Sequence, residues 1–309
     1  MLPSEKIAVG MSTSSTKVCL PPQEDLREIL RVAVEASQAG GEVLRSFLGR
    51  VTAKEKAPAD LVTEADVTAQ EAIIGVIRSK FPEHQIIAEE LPSEAGPGGS
   101  PSNAPGSSPV VPPANISADY RWYIDPLDGT TNFFHSFPLF AVSVGVEFRG
   151  VLIAGCIFNP LTGDCFHALR GGGAWLGNRL LSTSGCTTFA ESLVAIALPS
   201  RVALDSPDFR LFVAALNRCQ SIRRTGCTAL NLAFTAAGWL DAAWGLSCHS
   251  WDLAAGVLLV QEAGGAVGDL GRRPFSLASG RFLAAATREL LDDIYHLAEP
   301  LNLEPPSPG

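Results

Sequence analysis

Trp122-Tyr-Ile-Asp-Pro-Leu-Asp-Gly-Thr-Thr-Asn-Phe-Phe134 is a stretch that joins apolar residues to a polar turn. Its first three residues are large and apolar or aromatic, as at the end of a buried strand. Asp125 follows, and then Pro126, which cannot donate a ladder hydrogen bond and predicts that strand pairing stops there. Asp128 precedes Gly129 and three small polar residues that suit a tight turn and a helix cap. The stretch therefore predicts a strand, a turn carrying two acids, and a helix start.

Two acids three residues apart on such a turn can direct their oxygens at one point. Carboxylates that lie close together repel each other, so one keeps its proton unless cations lie between them. Mg²⁺ suits this position, because it takes oxygen ligands and is commonly held by one or two carboxylates plus substrate phosphate. Backbone N–H groups from Gly129 onward would add an anion site if they open a helix. The alternative is an Asx-turn in which the acids only accept backbone hydrogen bonds.

Composition and charge argue against several classes of protein. The chain has 309 residues, 46% of them hydrophobic, which is enough for one large domain or two smaller ones. Its net charge of −9, without a basic stripe, argues against nucleic acid or an anionic membrane as the main partner. Seven scattered cysteines without a Cys-x-x-Cys pair favour a reducing compartment and argue against a thiolate zinc site. No apolar run approaches the ~18 residues of a membrane helix.

Segment boundaries follow from local composition. Residues 1–22 are expected to be a flexible lead that lacks the apolar region of a signal peptide, so the cytoplasm is the default location and organellar targeting stays open. Residues 23–299 are predicted to form a single catalytic domain of two αβ halves. Within it, 91–118 is rich in Pro, Gly and Ser and is expected to be a disordered insert, because it buries too little apolar surface to offset its ordering entropy. Residues 300–309 are expected to be a loose tail.

Apolar spacing predicts the elements around the motif. A helix is expected over 24–48, and a second helix opens where Thr63 and Asp66 have the spacing of a capping box. A capping role for Asp66 is compatible with a catalytic one, since a helix start also orients an acid. The runs 139–147 and 151–158 predict a β-hairpin with Gly in its loop.

Three other features have both a structural and a functional interpretation. The strand 85–88 ends in Glu89 and Glu90, and only one of them is expected to reach the site because neighbours on a strand point to opposite faces. The three consecutive glycines at 171–173 do not belong to a GxxxxGK[ST] or GxGxxG phosphate-binding pattern, so they predict a sharp bend. Asp252 lies in the first turn of a buried helix, where an acid stabilises the helix dipole by ~0.3–1 kcal/mol.

Four separated pieces of the chain resemble the inositol monophosphatases, within the lithium-sensitive, magnesium-dependent phosphomonoesterases. They are Asp60-Leu-Val-Thr-Glu-Ala-Asp66, Ala88-Glu89-Glu90, the run 122–133, and Trp251-Asp252-Leu-Ala-Ala-Gly256. The likeness covers roughly residues 24–290. It implies a mixed α/β fold, a layered αβαβα sandwich, and a homodimer.

The resemblance also implies a role for each matching residue. Two or three Mg²⁺ ions are implied: the first held by Glu89, Asp125 and the backbone carbonyl of Leu127, the second by Asp125, Asp128 and Asp252. Asp66 would anchor a weaker metal through water and, together with Thr130, orient the nucleophilic water, and Glu89 completes the catalytic set. The implied phosphate and substrate contacts are Asp128, Gly129, Thr130, Gly226, Cys227, Thr228 and Asp252.

The implied substrate is a small phosphorylated polyol, myo-inositol 1-phosphate or a similar ester, hydrolysed by two-metal-assisted attack of an activated water. Two departures concern this substrate. Gly245 falls where inositol-specific members carry a glutamate that contacts ring hydroxyls. Cys227-Thr228 falls where the family commonly has small residues that line the sugar pocket. A pocket that loses a hydrogen-bond partner loses discrimination. Histidinol phosphate, a sugar 1-phosphate and a phosphoadenosine nucleotide therefore stay open as substrates, as does a non-catalytic regulatory role.

Overall fold

The computed structural model describes residues 18–50, 53–57, 60–90, 110–111, 117–301 and 303. Side chains are described for these residues except 53–57, 60–62, 110–111 and 117–118. Most of the expected flexible lead and most of the expected insert lie outside the described residues. Within the insert, 110–111 form a short strand and residue 117 begins the long strand that carries the motif.

Seven α-helices occur in the described part of the chain. They are α1 (Gln23–Phe47), α2 (Glu64–Lys80), α3 (Thr130–Phe134), α4 (Pro207–Leu216), α5 (Thr228–Ala236), α6 (Ser250–Glu262) and α7 (Arg288–Ala298). The helix predicted over 24–48 is confirmed as α1, whose apolar positions Leu26, Ile29 and Ala33 recur at helical spacing and are buried. None of the described helices combines the length and apolar character that a membrane span requires.

Fifteen strands in the same residues form three sheets. They are β1 (Ala53–Ala57), β2 (Asp60–Thr63), β3 (His84–Ala88), β4 (Val110–Val111), β5 (Ser117–Asp128), β6 (Ala141–Phe148), β7 (Val151–Phe158), β8 (Cys165–Leu169), β9 (Gly173–Leu176), β10 (Arg179–Leu180), β11 (Leu193–Ala197), β12 (Ser221–Arg223), β13 (Ala242–Gly245), β14 (Ala266–Gly268) and β15 (Phe282–Ala285). The large sheet has the order β10-β9-β8-β7-β6-β5-β3-β4, and the small sheet β12-β11-β13-β15-β14. β1 and β2 form a separate antiparallel pair. The predicted hairpin is confirmed as β6 and β7.

The two main sheets and three helix layers alternate, which confirms the mixed α/β sandwich. α1 and α2 pack on one face of the large sheet, α5 and α6 lie between the two sheets, and α4 and α7 cover the outer face of the small sheet. Three apolar clusters join the layers: one between the first two helices and the large sheet, one around α5 and α6, and one between the small sheet and its outer helices. The motif strand β5 lies inside the large sheet, between β3 and β6.

The glycine triplet forms the predicted bend, between β8 and β9. Gly171 and Gly173 have φ of +73° and +80°, a region that favours glycine. Their N–H groups both donate to Glu262 Oε2, at 3.0 and 3.1 Å. These amides therefore bind an anion, but the anion is a side chain at the end of α6.

The beginning of the expected tail is anchored. Leu303 is buried, and its carbonyl oxygen accepts a hydrogen bond of 3.0 Å from Arg281 Nη1. A short 3₁₀ helix, Glu299–Leu301, leads into it. Residues 304–309 lie outside the described residues.

Candidate active site

A β-bulge shapes the motif at the end of β5. Asp125 pairs with Ser143 of β6, whereas Asp128 pairs with Ala141, so β5 advances by one residue more than its partner. Pro126 and Leu127 occupy the extra length, which is where a sheet tolerates a residue without an N–H. The prediction that pairing stops at Pro126 is wrong, because the bulge lets the strand resume at Asp128.

The turn after Asp128 requires glycine. Gly129 has a φ of +97° and precedes the first residue of α3. A Cβ at this position would lie 3.0 Å from the carbonyl oxygen of Leu139 and 3.3 Å from that of Gly226. A larger residue would therefore be strained and would push apart two loops that meet at the site.

Asp66 caps α2 and also contacts the motif, and its catalytic role stays a prediction. Its Oδ2 accepts hydrogen bonds from the Thr63 N–H at 2.8 Å and the Thr63 hydroxyl at 2.5 Å, which completes the predicted capping box of α2. Its Oδ1 lies 3.3 Å from Thr130 Oγ1, which also contacts the Leu127 carbonyl oxygen at 3.2 Å. The cap fixes one carboxylate oxygen and leaves the other beside a hydroxyl of the motif.

The second half of the chain reaches the motif through two helix starts. The Ala229 N–H, in the first turn of α5, donates to Asp128 Oδ2 at 2.5 Å. At the start of α6, the His249 N–H donates to Asp252 Oδ2 at 2.8 Å, and His249 Nδ1 lies 3.8 Å from the same oxygen. Sequence positions more than a hundred residues apart therefore share this site.

Close packing of α6 on the large sheet brings Asp252 to β5. A Cβ on Gly145 of β6 would lie 2.5 Å from Ala254 Cβ and 2.8 Å from the Ala255 nitrogen. A Cβ on Gly155 of β7 would lie 2.8 Å from Ala255 Cα. These two glycines let the helix backbone approach where any larger residue would hold it away.

The carboxyl groups at this site influence one another strongly. Burial raises the pKa of Asp125 well above its usual range, and the charges of Glu89 and Asp128 add to this rise. Burial, then the charge of Asp252, raises the pKa of Asp128 to about 8. Burial also raises the pKa of Asp252 to about 6, with nearby His249 acting in the opposite direction. A hydrogen bond joins the Asp125 and Asp252 carboxyl groups.

The donor set fits a hard divalent cation. Carboxylate oxygens and a backbone carbonyl are the ligands that Mg²⁺ takes, and a cation would offset the burial and the mutual repulsion that raise these pKa values. In the residues described, no three carboxylate, imidazole or thiol groups lie close enough together to enclose a metal ion. The metal-ligand role of Glu89, Asp125, Leu127, Asp128 and Asp252 therefore stays a prediction.

Comparison with known proteins identifies the family of this chain. Residues 25–302 match the model of the inositol monophosphatase family. The chain belongs to the inositol monophosphatase family. It is 35% identical over 269 residues to Nus factor SuhB of Pseudomonas aeruginosa, with 85% of this chain and 93% of that protein covered. It is 35% identical over 275 residues to inositol-1-monophosphatase of Synechocystis sp., with 88% and 89% covered.

Solved structures agree with this fold. The inositol monophosphatase of Anabaena (Nostoc) sp. superposes with a TM-score of 0.72 at 31% identity, covering 92% of this chain and 98% of that one. The extragenic suppressor protein suhB of Bartonella henselae superposes with a TM-score of 0.77 at 29% identity, covering 89% and 98%. The family resemblance drawn from the motifs is therefore confirmed, together with the fold that it implied.

Of the two adjacent glutamates, Glu89 is the one whose charge acts on the site. It raises the pKa values of Asp125, Asp128 and Asp252, and its N–H donates to the Ile124 carbonyl oxygen at 3.2 Å. The Glu90 N–H instead donates to Gln70 Oε1 at 2.8 Å. Both glutamates follow the last residue of β3, and the expectation that only one of their side chains reaches the site stays a prediction.

The loop predicted to line the substrate pocket lies beside Asp128. Gly226 is exposed, Thr228 is half-buried, and Cys227 is buried with its thiol hydrogen-bonded to the Asp128 carboxyl group. The thiol therefore faces a predicted metal ligand. Contacts of these three residues with substrate stay a prediction.

Gly245, where inositol-specific relatives were expected to carry glutamate, is buried at the end of β13. A Cβ there would lie 2.8 Å from Cys248 Sγ and 3.0 Å from both Ala197 Cβ and Phe282 Cε1. The space that a side chain would enter is filled by apolar groups and a thiol. The difference at this position is thus accompanied by packing that excludes a larger residue.

Asn132 and His249 belong to the site but were not singled out from the sequence. Asn132 Nδ2 donates to the carbonyl oxygens of Leu139 at 2.6 Å and Thr225 at 2.8 Å, which ties the motif to the loop before α5. His249 precedes Asp252 by three residues, the spacing of a helix cap, and this signal could have revealed it. Asn132 gave no comparable signal because both of its partners are backbone carbonyls, which no side-chain pattern identifies, and one of them is 93 residues away.

Proposed function

We propose that this protein is a magnesium-dependent phosphomonoesterase that hydrolyses inositol monophosphate or a similar small polyol phosphate. The observation that supports the proposal is the influence of the Asp125, Asp128 and Asp252 carboxyl groups, drawn from both halves of the chain, on one another's pKa values, together with the charge of Glu89. Membership of the inositol monophosphatase family supports the same chemistry. Li⁺ inhibition and a homodimer are parts of the proposal that the family resemblance implies. A cytoplasmic location is a further part, which the scattered cysteines support.

The proposed metal ligands are Glu89, Asp125 and the Leu127 carbonyl for one ion, and Asp125, Asp128 and Asp252 for a second. When bound, divalent cations neutralise the phosphate and the leaving oxygen and make a nearby water a better nucleophile. Asp125 belongs to both sets, and it is the acid whose pKa is raised by all three of the other carboxylates. Its replacement should therefore weaken both metal positions together.

Thr130 and Asp66 are proposed to hold the nucleophilic water and take its proton. The Thr130 hydroxyl lies within hydrogen-bond distance of Asp66 Oδ1, so it can accept a proton from water while passing its own to that carboxylate. The water oxygen then bonds to phosphorus as the ester P–O bond breaks. The departing alkoxide takes a proton from solvent and leaves as the alcohol, and Asp66 returns its proton to solvent. The Gly129 and Thr130 N–H groups are proposed to bind the phosphate oxygens.

Phosphate release by the purified protein tests the proposal. We expect turnover of inositol monophosphate with Mg²⁺, none with a chelator, and inhibition by Li⁺. Thr130→Ala should lower kcat with little change in KM, because the hydroxyl acts on water and not on the alcohol part of the substrate. Thr131→Ala is the matched control, since Thr131 is exposed on the next position of α3. The proposal would be contradicted if the turnover rate stayed the same when Mg²⁺ is removed and when Thr130 is replaced by alanine.

Substrate identity is the finer part of the proposal. Gly245 offers no side-chain acceptor for a sugar hydroxyl, and Cys248 and Phe282 fill the space beside it. A panel of inositol monophosphate, histidinol phosphate, a sugar 1-phosphate and a phosphoadenosine nucleotide, ranked by kcat/KM, decides among them. A preference of at least about 100-fold for inositol monophosphate would mean that other residues supply the discrimination.

The names of the relatives favour a second candidate function. The 35% identical protein of Pseudomonas aeruginosa is a Nus factor, so a role in binding a transcription factor or nucleic acid is the alternative. The net charge of −9 favours a protein partner over direct binding of nucleic acid. Calorimetry without detectable Mg²⁺ binding, together with no turnover on the panel, would favour this second function.

A further inference from the structure

Cys156 and Cys165 form a close pair of thiols on the large sheet. Their Sγ atoms are 3.7 Å apart, and both cysteines are free. Cys156 lies opposite His167 in the β7–β8 pair, and Cys165 lies opposite Phe158. The two cysteines are therefore diagonal neighbours, and their side chains project from the same face of adjacent strands.

The two thiols have different surroundings. Cys156 is buried in the cluster under α1, whereas Cys165 is half-buried and is the first residue of β8, directly after the turn at 159–164. A hydrogen bond from the Cys156 thiol lowers the pKa of Cys165, and the same bond, followed by burial, raises the pKa of Cys156. The thiol that a solute can reach is thus also the one that more readily becomes a thiolate, which is the nucleophilic form.

We propose that Cys156 and Cys165 are a site of reversible oxidation, at which a peroxide converts the two thiols to a disulfide. The Cys165 thiolate attacks a peroxide oxygen, so that an S–O bond forms, the O–O bond breaks and hydroxide leaves as water. Cys156 then attacks the Cys165 sulfur, an S–S bond forms, and the hydroxyl group leaves as water with the Cys156 proton. Two thiols lose two electrons, and one hydrogen peroxide is reduced to two waters.

The geometry allows the second step with a local rearrangement. A disulfide needs an S–S distance of about 2.05 Å, so the sulfurs must approach each other from 3.7 Å. Cys165 lies at the strand end next to a turn, where the backbone can shift with less loss of ladder hydrogen bonds than in the middle of a strand. The proposal is independent of the proposed phosphatase activity, because neither cysteine belongs to that site.

Limited oxidation of the full-length protein tests the proposal. One equivalent of hydrogen peroxide should reduce the titratable thiols of the denatured protein from seven to five, and dithiothreitol should restore them. The tryptic peptide 150–170 contains both cysteines and no other, so the bond appears there as the loss of two hydrogens with neither sulfur alkylated. Retention of two alkylated cysteines in this peptide while other thiols are oxidised would overturn the proposal.

Three variants separate the roles of the two thiols. Cys165→Ser should abolish the disulfide and leave residue 156 reduced, because the accessible nucleophile is gone. Cys156→Ala should leave Cys165 as a sulfenic acid that dimedone traps. Cys219→Ser changes another half-buried cysteine and is the control. Its Cys156–Cys165 pair is intact, so peroxide should still remove two titratable thiols. A disulfide in the wild type that persists in Cys165→Ser, or Cys165 sulfinic acid beside reduced Cys156, would contradict this assignment.

Discussion

Two buried aspartates of this protein have opposite surroundings. Asp125 and Asp269 are both 3% exposed. Asp269 is paired with Arg281 Nε at 3.2 Å and with Arg273 Nη2 at 3.2 Å, and it accepts the Gly271 N–H at 3.1 Å. Asp125 accepts one backbone N–H, and its charged neighbours are other carboxylates.

The difference shows how the same residue type serves stability in one place and chemistry in another. A buried charge must be paired or neutralised, and the chain supplies arginines for this purpose at Asp269. In the described residues Asp125, Asp128 and Asp252 form no ion pair with Arg or Lys, and His249 is the neighbour that favours the ionised form of Asp252. We propose that protons or an added cation neutralise the remaining charge. We infer that Asp269 stabilises the fold, whereas the acid cluster reduces its stability in exchange for metal binding.

The largest expected effect is on turnover, from Asp125→Asn. The change removes a ligand from both proposed metal positions, so kcat should fall by roughly 10³-fold or more. It also removes one of the crowded charges, so the free energy of unfolding in a chelator should not decrease. Phosphate release and urea unfolding measure the two effects. The matched control is Asp292→Asn, at a half-buried acid whose surface ion pair with Arg288 contributes little, and this change should leave both quantities nearly unchanged.

Asp269→Asn should have the opposite pattern. It removes the charge that pairs with Arg281, a side chain only 8% exposed, and should lower the free energy of unfolding by about 3–5 kcal/mol. Turnover per folded molecule should stay close to that of the wild type. Urea unfolding combined with an active-site titration separates the two. A large loss of kcat with unchanged stability would show that the two aspartates do not differ in the way inferred.

His84 is a third buried titratable group, and it is neutral. It lies between the rings of Phe81 and Tyr120, at centroid distances of 4.6 and 4.2 Å, and its Nδ1 accepts the Trp122 indole N–H at 3.0 Å. Burial lowers the pKa of His84 to about 4. The unfolded chain therefore binds a proton that the folded chain does not between pH 6.5 and about 4.

The contribution of His84 to stability should be complete above pH 6.5 and decrease as the pH falls, by roughly 3 kcal/mol near pH 4. His84→Gln keeps a polar side chain but cannot titrate, so its unfolding free energy should fall less steeply than that of the wild type over this range. Urea unfolding at several pH values measures the slopes. Equal slopes would mean that His84 does not control this part of the pH dependence.

A smaller effect should follow from Gly145→Ala, which tests how the acid cluster is assembled. The new methyl group would contact the backbone of α6 at 2.8 Å, so the helix must move and the unfolding free energy should fall by about 1–3 kcal/mol. Because α6 carries Asp252, kcat should fall as well. Gly75→Ala is the matched control: this glycine of α2 has open space around it, and the change should stabilise the helix by about 0.5–1 kcal/mol.

The sequence was sufficient for the elements with strong local patterns. The first helix, expected over 24–48, is Gln23–Phe47, and the capping box at Thr63 and Asp66 has the geometry that its spacing implied. The glycine triplet forms a bend, as expected for glycines that lack the sequence pattern of a phosphate-binding loop. In each case the determining interactions lie within a few residues of one another, so the pattern is readable without the tertiary structure.

Features that depend on distant partners were not predictable. The bulge at Pro126 requires the register of β6, and Glu262 binds the glycine bend from 91 residues away. Asp269 and Arg281 are twelve residues apart across an irregular segment, with no periodic pattern to link them. The packing of α6 against Gly145 likewise cannot be predicted from the neighbouring sequence, because a glycine in a strand does not show which other backbone segment approaches it.

The most direct test of the central claim is the effect of Mg²⁺ on the melting temperature of the wild type, Asp125→Asn and Asp269→Asn. A ligand that binds only the folded state raises the melting temperature with concentration. Mg²⁺ should therefore raise it for the wild type and for Asp269→Asn, and leave that of Asp125→Asn nearly unchanged. Equal shifts in all three proteins, or no shift in the wild type, would contradict the account of a cation-neutralised acid cluster.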